Sequence, residues 1–364
     1  MSTVEPSYTT KADLRGTPWR EALGVPESEI VRFHTSSGSS GTPTVTAYTK
    51  GDLKTLGRLT ARTLLGLLPL KLPLWRCYNA FGYGLFTGGL SFEAAAAHAR
   101  TLDGLPPVCV IPTSNLSGSA SLEAAVDEHA RLLRLFEPNV LFGTPSLAYV
   151  LWEKGLLGSF KAIITGGEPS SSALRELLRG CGQRTVIEAY GLSEVLGPGV
   201  AQSSSERDEL FLNEDAFECE VLDEGGDGVG ELVISTRLHE ATPRRRYRTG
   251  DAVRVVKGGG SNDVKCDRPG RAVTVLGRLS SDFSSTCGVY LSEIEEVLVS
   301  HGYSPCFELA DEERSLAVEA LRPPAGESAP PLLQLPEWLT TAVQVSVVEA
   351  GSMRRSLGKS CRRR

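Results

Sequence analysis

Several features that would point directly to a function class are missing from this sequence. The eight cysteines stand singly, no two have C-x-x-C spacing, and the five histidines complete no recognisable metal set. Isolated cysteines are typical of a reducing compartment, where most of them are small buried hydrophobes. The cysteine and histidine pattern therefore argues against both a disulfide scaffold and a zinc site.

Long apolar runs are also lacking. The most apolar stretch, 63–75, is interrupted by Pro69, Lys71 and Pro73, and it is shorter than the roughly 20 residues that span a bilayer. The stretch 1–16 has no apolar centre of the kind that a secretory signal carries. We therefore expect a cytoplasmic protein without a membrane segment.

Excess positive charge is absent from most of the chain. The net charge of −6 argues against a general nucleic-acid binder, and 364 residues are enough for two domains with a large core. The exception is the stretch from Met353 to Arg364, in which six of twelve residues are basic. A solvated charge run is the simplest interpretation of this tail.

Short apolar runs alternate with amphipathic stretches through the middle of the chain. The stretch 121–136 has apolar residues at three- and four-residue steps and predicts a helix. Alternation of strands and helices is typical of a parallel sheet covered by helices. The predicted strands are 106–112, 138–145, 160–167 and 185–191.

After about residue 205 the pattern changes. Segments such as 217–236 alternate and turn at glycines, which indicates a β-meander or small barrel. An amphipathic helix is predicted within 290–302. We predict an α/β fold class: a large body over 1–278 of mixed or parallel sheets covered by helices, β-rich from about 205 to 278, and a small mobile α+β domain over 279–364.

The stretch FHTSSGSSGTPT, from Phe33 to Thr44, is a Ser/Thr/Gly loop between two predicted strands. Its backbone N–H groups and hydroxyls could surround phosphate, and its glycines permit close approach. It is not a Walker A loop, because the G-x-x-x-x-G-K-[ST] pattern is missing. A plain turn is the other interpretation, since Ser/Gly loops are common.

Two carboxylates follow predicted strands. Glu194, in GLSEVLGPG, lies beyond the carboxyl end of a strand, where α/β sheets place their ligands. Asp251, in YRTGD, lies at a strand-to-turn junction. Either residue alone could be an ordinary turn residue.

Taken in order, four segments resemble the adenylate-forming superfamily of acyl-CoA synthetases and adenylation domains, and within it the phenylacetate-CoA ligases. The likeness runs from about residue 9 to the C-terminus. The segments are HTSSGSSGTPTV, FGYGLFTGGL (81–90), YGLSEVLGPGVA (190–201) and RRSLGKSCR.

The resemblance implies an enzyme that uses ATP and Mg²⁺ to convert an aromatic carboxylic acid, similar to benzoate or phenylacetate, into an acyl-AMP with release of pyrophosphate. A thiol of CoA or of a carrier protein's phosphopantetheine would then take the acyl group. Alternatives are transfer to an amine, which forms an amide, and a non-catalytic protein that binds a nucleotide or acyl-adenylate. Neither nucleic acid nor membrane is an expected partner, and a homo-oligomer is compatible with the sequence.

The resemblance also implies roles for individual residues. Glu194 would be a catalytic residue and the Mg²⁺ ligand, and Lys359 would reach the α-phosphate and the acid. Asp251 would accept hydrogen bonds from the ribose hydroxyls, and Tyr190 would stack on adenine unless it is a core aromatic. The expected nucleotide-binding residues are Thr35, Ser36, Ser37, Gly38, Ser39, Ser40, Gly41, Gly166, Gly167, Glu168, Tyr190, Ser193, Asp251 and Arg278.

An acyl pocket is expected at FGYGLFTGGL. Tyr83 and Phe86 would supply flat apolar surface, Gly88 would leave room for a ring, and Gly191 would be a further contact of the substrate. Core packing is the rival interpretation of these aromatics.

The sequence departs from the family in four places, one of which is the trimmed stretch 203–217. The segment before the phosphate loop is short, which would place part of the large domain elsewhere, such as on a partner subunit. The loop lacks the lysine that usually ends it. The hinge position after Arg278 falls on Ser280 instead of an acidic or basic residue.

Overall fold

The structure is a computed structural model. It describes residues 7–36, 42–116, 118–223, 228–256, 270–279, 289–310, 314–353 and 355. The chain forms two compact units, one of Met1–Leu74, Gly82–Val108 and Ile187–Val275, the other of Trp75–Phe81, Cys109–Val186 and Leu276–Arg364. The predicted division into a body over 1–278 and a mobile domain over 279–364 stays a prediction, and the hinge residue Ser280 lies outside the described residues.

Helices occur in both units, and no helix of the described ranges is long and apolar enough to cross a membrane. They are α1 (Lys11–Gly16), α2 (Lys50–Leu65), α3 (Thr87–Ala99), α4 (Leu122–Phe136), α5 (Pro145–Glu153), α6 (Ser172–Arg179), α7 (Leu291–Ser300) and α8 (Glu337–Ala342).

The strands alternate with these helices in the middle of the chain and follow one another later. They are β1 (Ile30–Thr35), β2 (Val45–Thr49), β3 (Trp75–Asn79), β4 (Val108–Pro112), β5 (Val140–Gly143), β6 (Ala162–Gly166), β7 (Thr185–Leu192), β8 (Gly197–Gln202), β9 (Leu210–Leu212), β10 (Phe217–Asp223), β11 (Val229–Thr236), β12 (Tyr247–Val255), β13 (Ala272–Arg278), β14 (Tyr303–Ala310), β15 (Ser315–Ala320) and β16 (Gln344–Val348).

The first unit is built mainly from antiparallel strands. Its strands lie in the order β10-β11-β12-β13-β9-β8-β7, and β1 pairs separately with β2 in an antiparallel hairpin. The pairs β10–β11, β11–β12, β8–β9 and β7–β8 are all antiparallel. Fully buried residues such as Tyr48, Leu56, Phe217 and Tyr247 share the core of this unit.

The second unit contains the parallel strands. They lie in the order β6-β5-β3-β4, and β3 pairs with β5 and β5 with β6 in parallel. Helices α5 and α6 bury Leu147 and Leu178 in one core. The C-terminal part adds the sheet β14-β15-β16 and helix α7, with a core around Ile294 and Val318.

The predicted α/β fold class is confirmed, including the small α+β segment at the C-terminus. A strand matches each of the four predicted runs to within a few residues, α4 matches the predicted helix, and β10 and β11 form an antiparallel pair within the stretch predicted as a β-meander or small barrel. The alternation of strands and helices predicted a parallel sheet, but fewer strands pair in parallel than it indicated, because β7 is followed by the antiparallel strand β8. The turn between these two strands matters for the site, since it carries Glu194.

Asp52 anchors helix α2 within the first unit. Its carboxylate is fully buried and accepts hydrogen bonds from the backbone N–H groups of Thr49 (2.8 Å), Glu240 (2.7 Å) and Ala241 (3.0 Å). Thr49 accepts the N–H of Asp52 in return, which completes a capping box. One carboxylate thus caps α2 and fixes the chain at 240–241 against it.

Replacing Asp52 with alanine is expected to lower the free energy of unfolding by about 3 kcal/mol or more, because it leaves three N–H groups without their charged acceptor. Urea unfolding followed by circular dichroism measures this loss. Asp13→Ala is the matched control, since Asp13 occupies the same capping-box position on the exposed helix α1. Equal losses for the two variants would contradict the role of Asp52.

Candidate active site

Glu194 lies in the turn between β7 and β8. The two strands are still paired at Leu192 and Gly197, so the turn is tight. A glycine is required at position 191, on the β7 side of the turn, because a Cβ atom there would lie 1.7 Å from the carbonyl oxygen of Gly197. Its lack of a side chain is therefore explained by strand packing. Ser193, in the same turn, is half-buried.

The carboxylate of Glu194 is buried, with only 4% of the side chain exposed. Its Oε1 atom lies 3.0 Å from Nζ of Lys11 and accepts a hydrogen bond from the hydroxyl of Thr44 at 3.3 Å. A buried carboxylate without a counter-charge would be costly, and the Lys11 ammonium supplies that charge. Thr44 is itself fully buried, whereas the Lys11 side chain is one-third exposed.

The backbone of the turn is fixed from two sides. The guanidinium of Arg244 donates to the carbonyl oxygen of Glu194 at 3.1 Å, and the hydroxyl of Tyr48 donates to that of Val195 at 3.2 Å. Burial lowers the pKa of Arg244 and raises the pKa of Tyr48. A tyrosine hydroxyl is protonated near neutral pH, so that of Tyr48 is a donor to this carbonyl.

Lys11 was not identified by sequence reasoning. It lies in the first turn of α1, which begins with a capping box between Thr10 and Asp13. Just before this helix, Thr9 donates its N–H to the carbonyl oxygen of Arg246 and accepts the N–H of Arg248, at 3.1 and 2.8 Å. The Thr-x-x-Asp spacing could have predicted the helix start. No pattern in the sequence could have shown that its lysine meets Glu194.

The predicted phosphate loop joins β1 to β2. Its described ends are held together, because Ser36 and Thr44 exchange two hydrogen bonds of 3.0 Å, from the Ser36 N–H to the Thr44 carbonyl and from the Thr44 N–H to Ser36 Oγ. Thr35 donates its N–H to the carbonyl of Leu85. The prediction of a loop between two strands is confirmed. The remaining loop residues Ser37, Gly38, Ser39, Ser40 and Gly41 lie outside the described part of the chain.

Tyr190 and Asp251 are brought together, since the phenol of Tyr190 donates to Asp251 Oδ2 at 2.7 Å. The register of β11 and β12 shifts between the pairs Val233–Arg248 and Glu231–Ala252, so β12 contains two extra residues there. Irregularities of this kind redirect side chains next to active sites. Here the irregularity sets the position of Asp251.

Glu231 stabilises this irregular part of β12 and was also not identified from the sequence. It is buried, accepts the N–H of Gly250 at 2.9 Å, and forms an ion pair with Arg248. Gly250 has a φ of 72°, a conformation that favours glycine. The motif YRTGD therefore needs its glycine for backbone geometry, whereas the role of its aspartate towards a nucleotide stays a prediction.

The predicted acyl wall lies at the start of α3. Tyr83 and Phe86 are both half-buried, and the Tyr83 hydroxyl donates to Glu93 at 2.8 Å. Gly88 is buried in the first turn of α3, and at Gly89 a Cβ atom would lie 2.8 Å from the Tyr83 ring. The missing side chain at Gly89 allows the ring of Tyr83 to pack on helix α3. This contact supports the core-packing interpretation for Tyr83.

Four predicted nucleotide residues belong to the second unit. Gly166 ends β6, and Gly167 follows it with a φ of 85°. Glu168 accepts the N–H of Ser146 at 2.8 Å, so its carboxylate caps the N-terminus of α5. Arg278 is the last residue of β13 and is exposed. Their roles towards a nucleotide stay predictions, as does that of Lys359, which lies outside the described residues.

A dedicated metal cage is not present, since no group of three or more His, Cys, Asp or Glu in the described ranges could hold a metal ion. Mg²⁺ in phosphate-transfer sites usually takes one or two carboxylates and completes its shell with phosphate and water. The single buried carboxylate of Glu194, next to the hydroxyl of Thr44, fits that requirement.

Comparison with curated proteins gives relatives that match most of the chain. The chain is 33% identical to a phenylacetate-coenzyme A ligase of Escherichia coli K12 over 386 residues, covering 97% of this chain and 83% of the relative. It is 30% identical to a phenylacetate-coenzyme A ligase of Pseudomonas putida, covering 97% and 82%. No family model matches the sequence.

Solved structures show the same fold. A 2-hydroxyisobutyryl-CoA ligase in its postadenylation state has a TM-score of 0.74 at 19% identity, covering 98% of this chain and 79% of the other. A benzoate CoA ligase from Burkholderia xenovorans LB400 has a TM-score of 0.58 at 18% identity, covering 92% and 67%. From the identity and coverage of its curated relatives, the chain belongs to the phenylacetate-CoA ligase family.

Proposed function

We propose that this protein is an acid–thiol ligase that activates an aryl carboxylic acid with ATP and transfers the acyl group to CoA. In the first step the carboxylate oxygen of the acid attacks the α-phosphorus of ATP, the bond to the β-phosphate breaks, and pyrophosphate leaves. In the second step the thiolate of CoA attacks the acyl carbonyl, and AMP leaves. The curated relatives carry the name of this reaction.

The observation that carries this proposal is the buried Glu194 carboxylate with Lys11 and Thr44 on one oxygen. Mg²⁺ held by Glu194 would neutralise phosphate charge. Lys11 provides a partly exposed cation that shares the Glu194 oxygen with Thr44, and the stretch from Phe33 to Thr44 contains no lysine of its own. When a metal takes up the charge of Glu194, the Lys11 ammonium is available to a phosphate oxygen.

Asp251 and Tyr190 form the proposed nucleoside side of the site. A carboxylate can accept from both ribose hydroxyls. The hydrogen bond from Tyr190 orients one of its oxygens and at the same time holds the phenol oxygen in place. A tyrosine ring held at its tip next to the ribose acceptor is a suitable flat surface for adenine. Lys359 is proposed to approach the α-phosphate, where negative charge accumulates in the transition state.

An aryl acid is the proposed substrate because the half-buried rings of Tyr83 and Phe86 precede α3, whose first turn contains Gly88 and Gly89. Benzoate and phenylacetate are the acids to which this surface is suited. A carrier-bound phosphopantetheine thiol is the second candidate acceptor, since its thiol has the same chemistry as that of CoA.

Acid-dependent exchange of pyrophosphate into ATP tests the function. Exchange with benzoates or phenylacetates, and formation of the corresponding CoA thioester, is the expected result. Exchange without CoA consumption, but with loading of a phosphopantetheinyl carrier or an amine, would identify a different acceptor. No exchange with any acid of the panel would leave the nucleotide-binding alternative and refute the proposal.

Lys11→Met is expected to lower the exchange rate about 100-fold, the typical effect of removing one donor to developing negative charge. The measurement is the rate constant and the KM for ATP at saturating Mg²⁺. Lys50→Met is the matched control, because Lys50 starts α2 as Lys11 starts α1 but is exposed. Unchanged exchange in Lys11→Met would exclude the lysine from the site.

Asp251→Asn should weaken ATP binding about 10-fold, since it removes a charged acceptor and the charge-assisted bond from Tyr190. Calorimetric titration with ATP measures the affinity directly, without turnover. Asp215→Asn serves as control, because Asp215 pairs with Arg62 in the same unit without contacting Asp251. If both variants bind ATP as the wild type does, Asp251 does not contact the ribose.

A further inference from the structure

One backbone carbonyl of the first unit, that of Leu85, accepts two hydrogen bonds from strand β1. The backbone N–H of Thr35 donates to it at 3.0 Å, and Nδ1 of the His34 ring lies 3.1 Å from it. Burial lowers the pKa of His34, so the neutral ring predominates at neutral pH. Since a carbonyl oxygen can only accept, the single proton of that ring is on Nδ1. His34 thus adds a side-chain donor to a contact otherwise made by the main chain alone.

Leu85 lies at the tip of the turn that leads into α3 and carries the predicted acyl wall. Its side chain is 60% exposed. Gly84, just before it, has a φ of 86°, and a Cβ atom there would meet no atom of the described residues within 4 Å. Side-chain packing therefore contributes little at the tip, and the position of the tip depends on hydrogen bonds to its backbone.

The base of the same turn is fastened separately, to helix α3. Gly89 donates its N–H to the carbonyl oxygen of Gly82 at 2.9 Å, and the hydroxyl of Tyr83 donates to Glu93 at 2.8 Å. The base therefore follows the helix, whereas the tip at Leu85 follows β1. The rings of the predicted acyl wall lie between these two attachments.

The His34 ring reaches Leu85 from a position that is fixed by its surroundings. It is completely buried, and the register of the β1–β2 hairpin places it opposite Thr46. It packs edge-on against the ring of Tyr48, with the centroids 5.2 Å apart and an angle of 88° between the planes. Tyr48 in turn donates to the carbonyl of Val195, in the turn that carries Glu194. The ring is therefore held by the same residue that holds the Glu194 turn.

Packing alone does not explain a histidine at this position. Within the described ranges Nε2 of His34 is buried without a hydrogen-bond partner, which is costly for a polar atom. An apolar side chain would fill the same space without that cost. The contribution that requires a histidine is the donor at Nδ1, whose acceptor is the carbonyl of Leu85.

We propose that His34 is a positioning residue for the aryl acid, acting through the Leu85 carbonyl on the turn of the predicted acyl wall. This inference rests on the proposed function, in which Tyr83 and Phe86 contact the acid. The nucleotide side depends on the pairing of β1 with β2 and on the two hydrogen bonds between the described ends of the predicted phosphate loop, none of which uses the ring. Loss of the ring donor therefore affects the acid more than ATP.

His34→Leu removes the donor and keeps an apolar side chain in the buried space. In acid-dependent pyrophosphate exchange its KM for the acid should rise about 10-fold, the effect of one hydrogen bond, while its KM for ATP stays within about 2-fold. His34→Asn should return the KM for the acid to near the wild-type value, because the asparagine amide N–H takes the place of the Nδ1 donor. Thr46→Val is the matched control and should change neither constant, since the Thr46 hydroxyl is buried opposite His34 without a partner in the described part of the chain.

Hydrogen exchange gives a second readout that needs no turnover. The amide of Thr35, which donates to the same carbonyl, should lose about 10-fold of its protection in His34→Leu and keep it in His34→Asn. If His34→Leu does not fold, His34→Gln replaces it, because the glutamine amide takes the place of Nε2 and not of Nδ1.

Two results would overturn the positioning role: an equal KM for the acid in His34→Asn and in the variant without the donor, or a parallel rise in the KM for ATP. A wild-type protein that exchanges pyrophosphate with no acid would instead overturn the proposed function, and this inference with it. The two failures are therefore distinguishable.

Discussion

A carboxylate that is almost completely removed from water must be neutralised, and this constraint organises the first unit around Glu194. Its side chain cannot be displaced into solvent without moving the turn, whose backbone is held by Arg244 and Tyr48. The N-terminal helix therefore has to deliver Lys11 to it. In the proposed function, Mg²⁺ bound by Glu194 would meet the same charge balance and leave the Lys11 ammonium to a phosphate oxygen. One buried charge would then link fold stability to nucleotide binding.

The proposed nucleoside side of the site depends on the irregular part of β12. The two extra residues in β12 rest on Gly250 and on the buried carboxylate of Glu231. Asp251 is consequently set by backbone hydrogen bonding before any ligand arrives, and Tyr190 is oriented by Asp251. Preorganisation of this type lowers the entropic cost of binding, because the side chains have little freedom left to lose.

Local patterns were sufficient for the elements and for part of the site. Periodicity placed α4 and the strands around it, and the turn after β7 made Glu194 a candidate because ligands lie at strand ends. The residues that sequence reasoning missed are those whose role depends on distant contacts. Thr44 and Glu194 are 150 residues apart, and neither Lys11 nor Glu231 stands in a motif that signals chemistry. Charge compensation across a fold leaves no local periodicity to detect.

The basic tail illustrates how one composition can serve two physical roles. As a charge run, the stretch from Met353 to Arg364 is expected to be solvated. Arg355 departs from that expectation, because its guanidinium is buried between Glu153 and Glu319. A guanidinium suits this buried position, because its planar fork meets both oxygens of Glu153 at once, which the single ammonium of a lysine could not do.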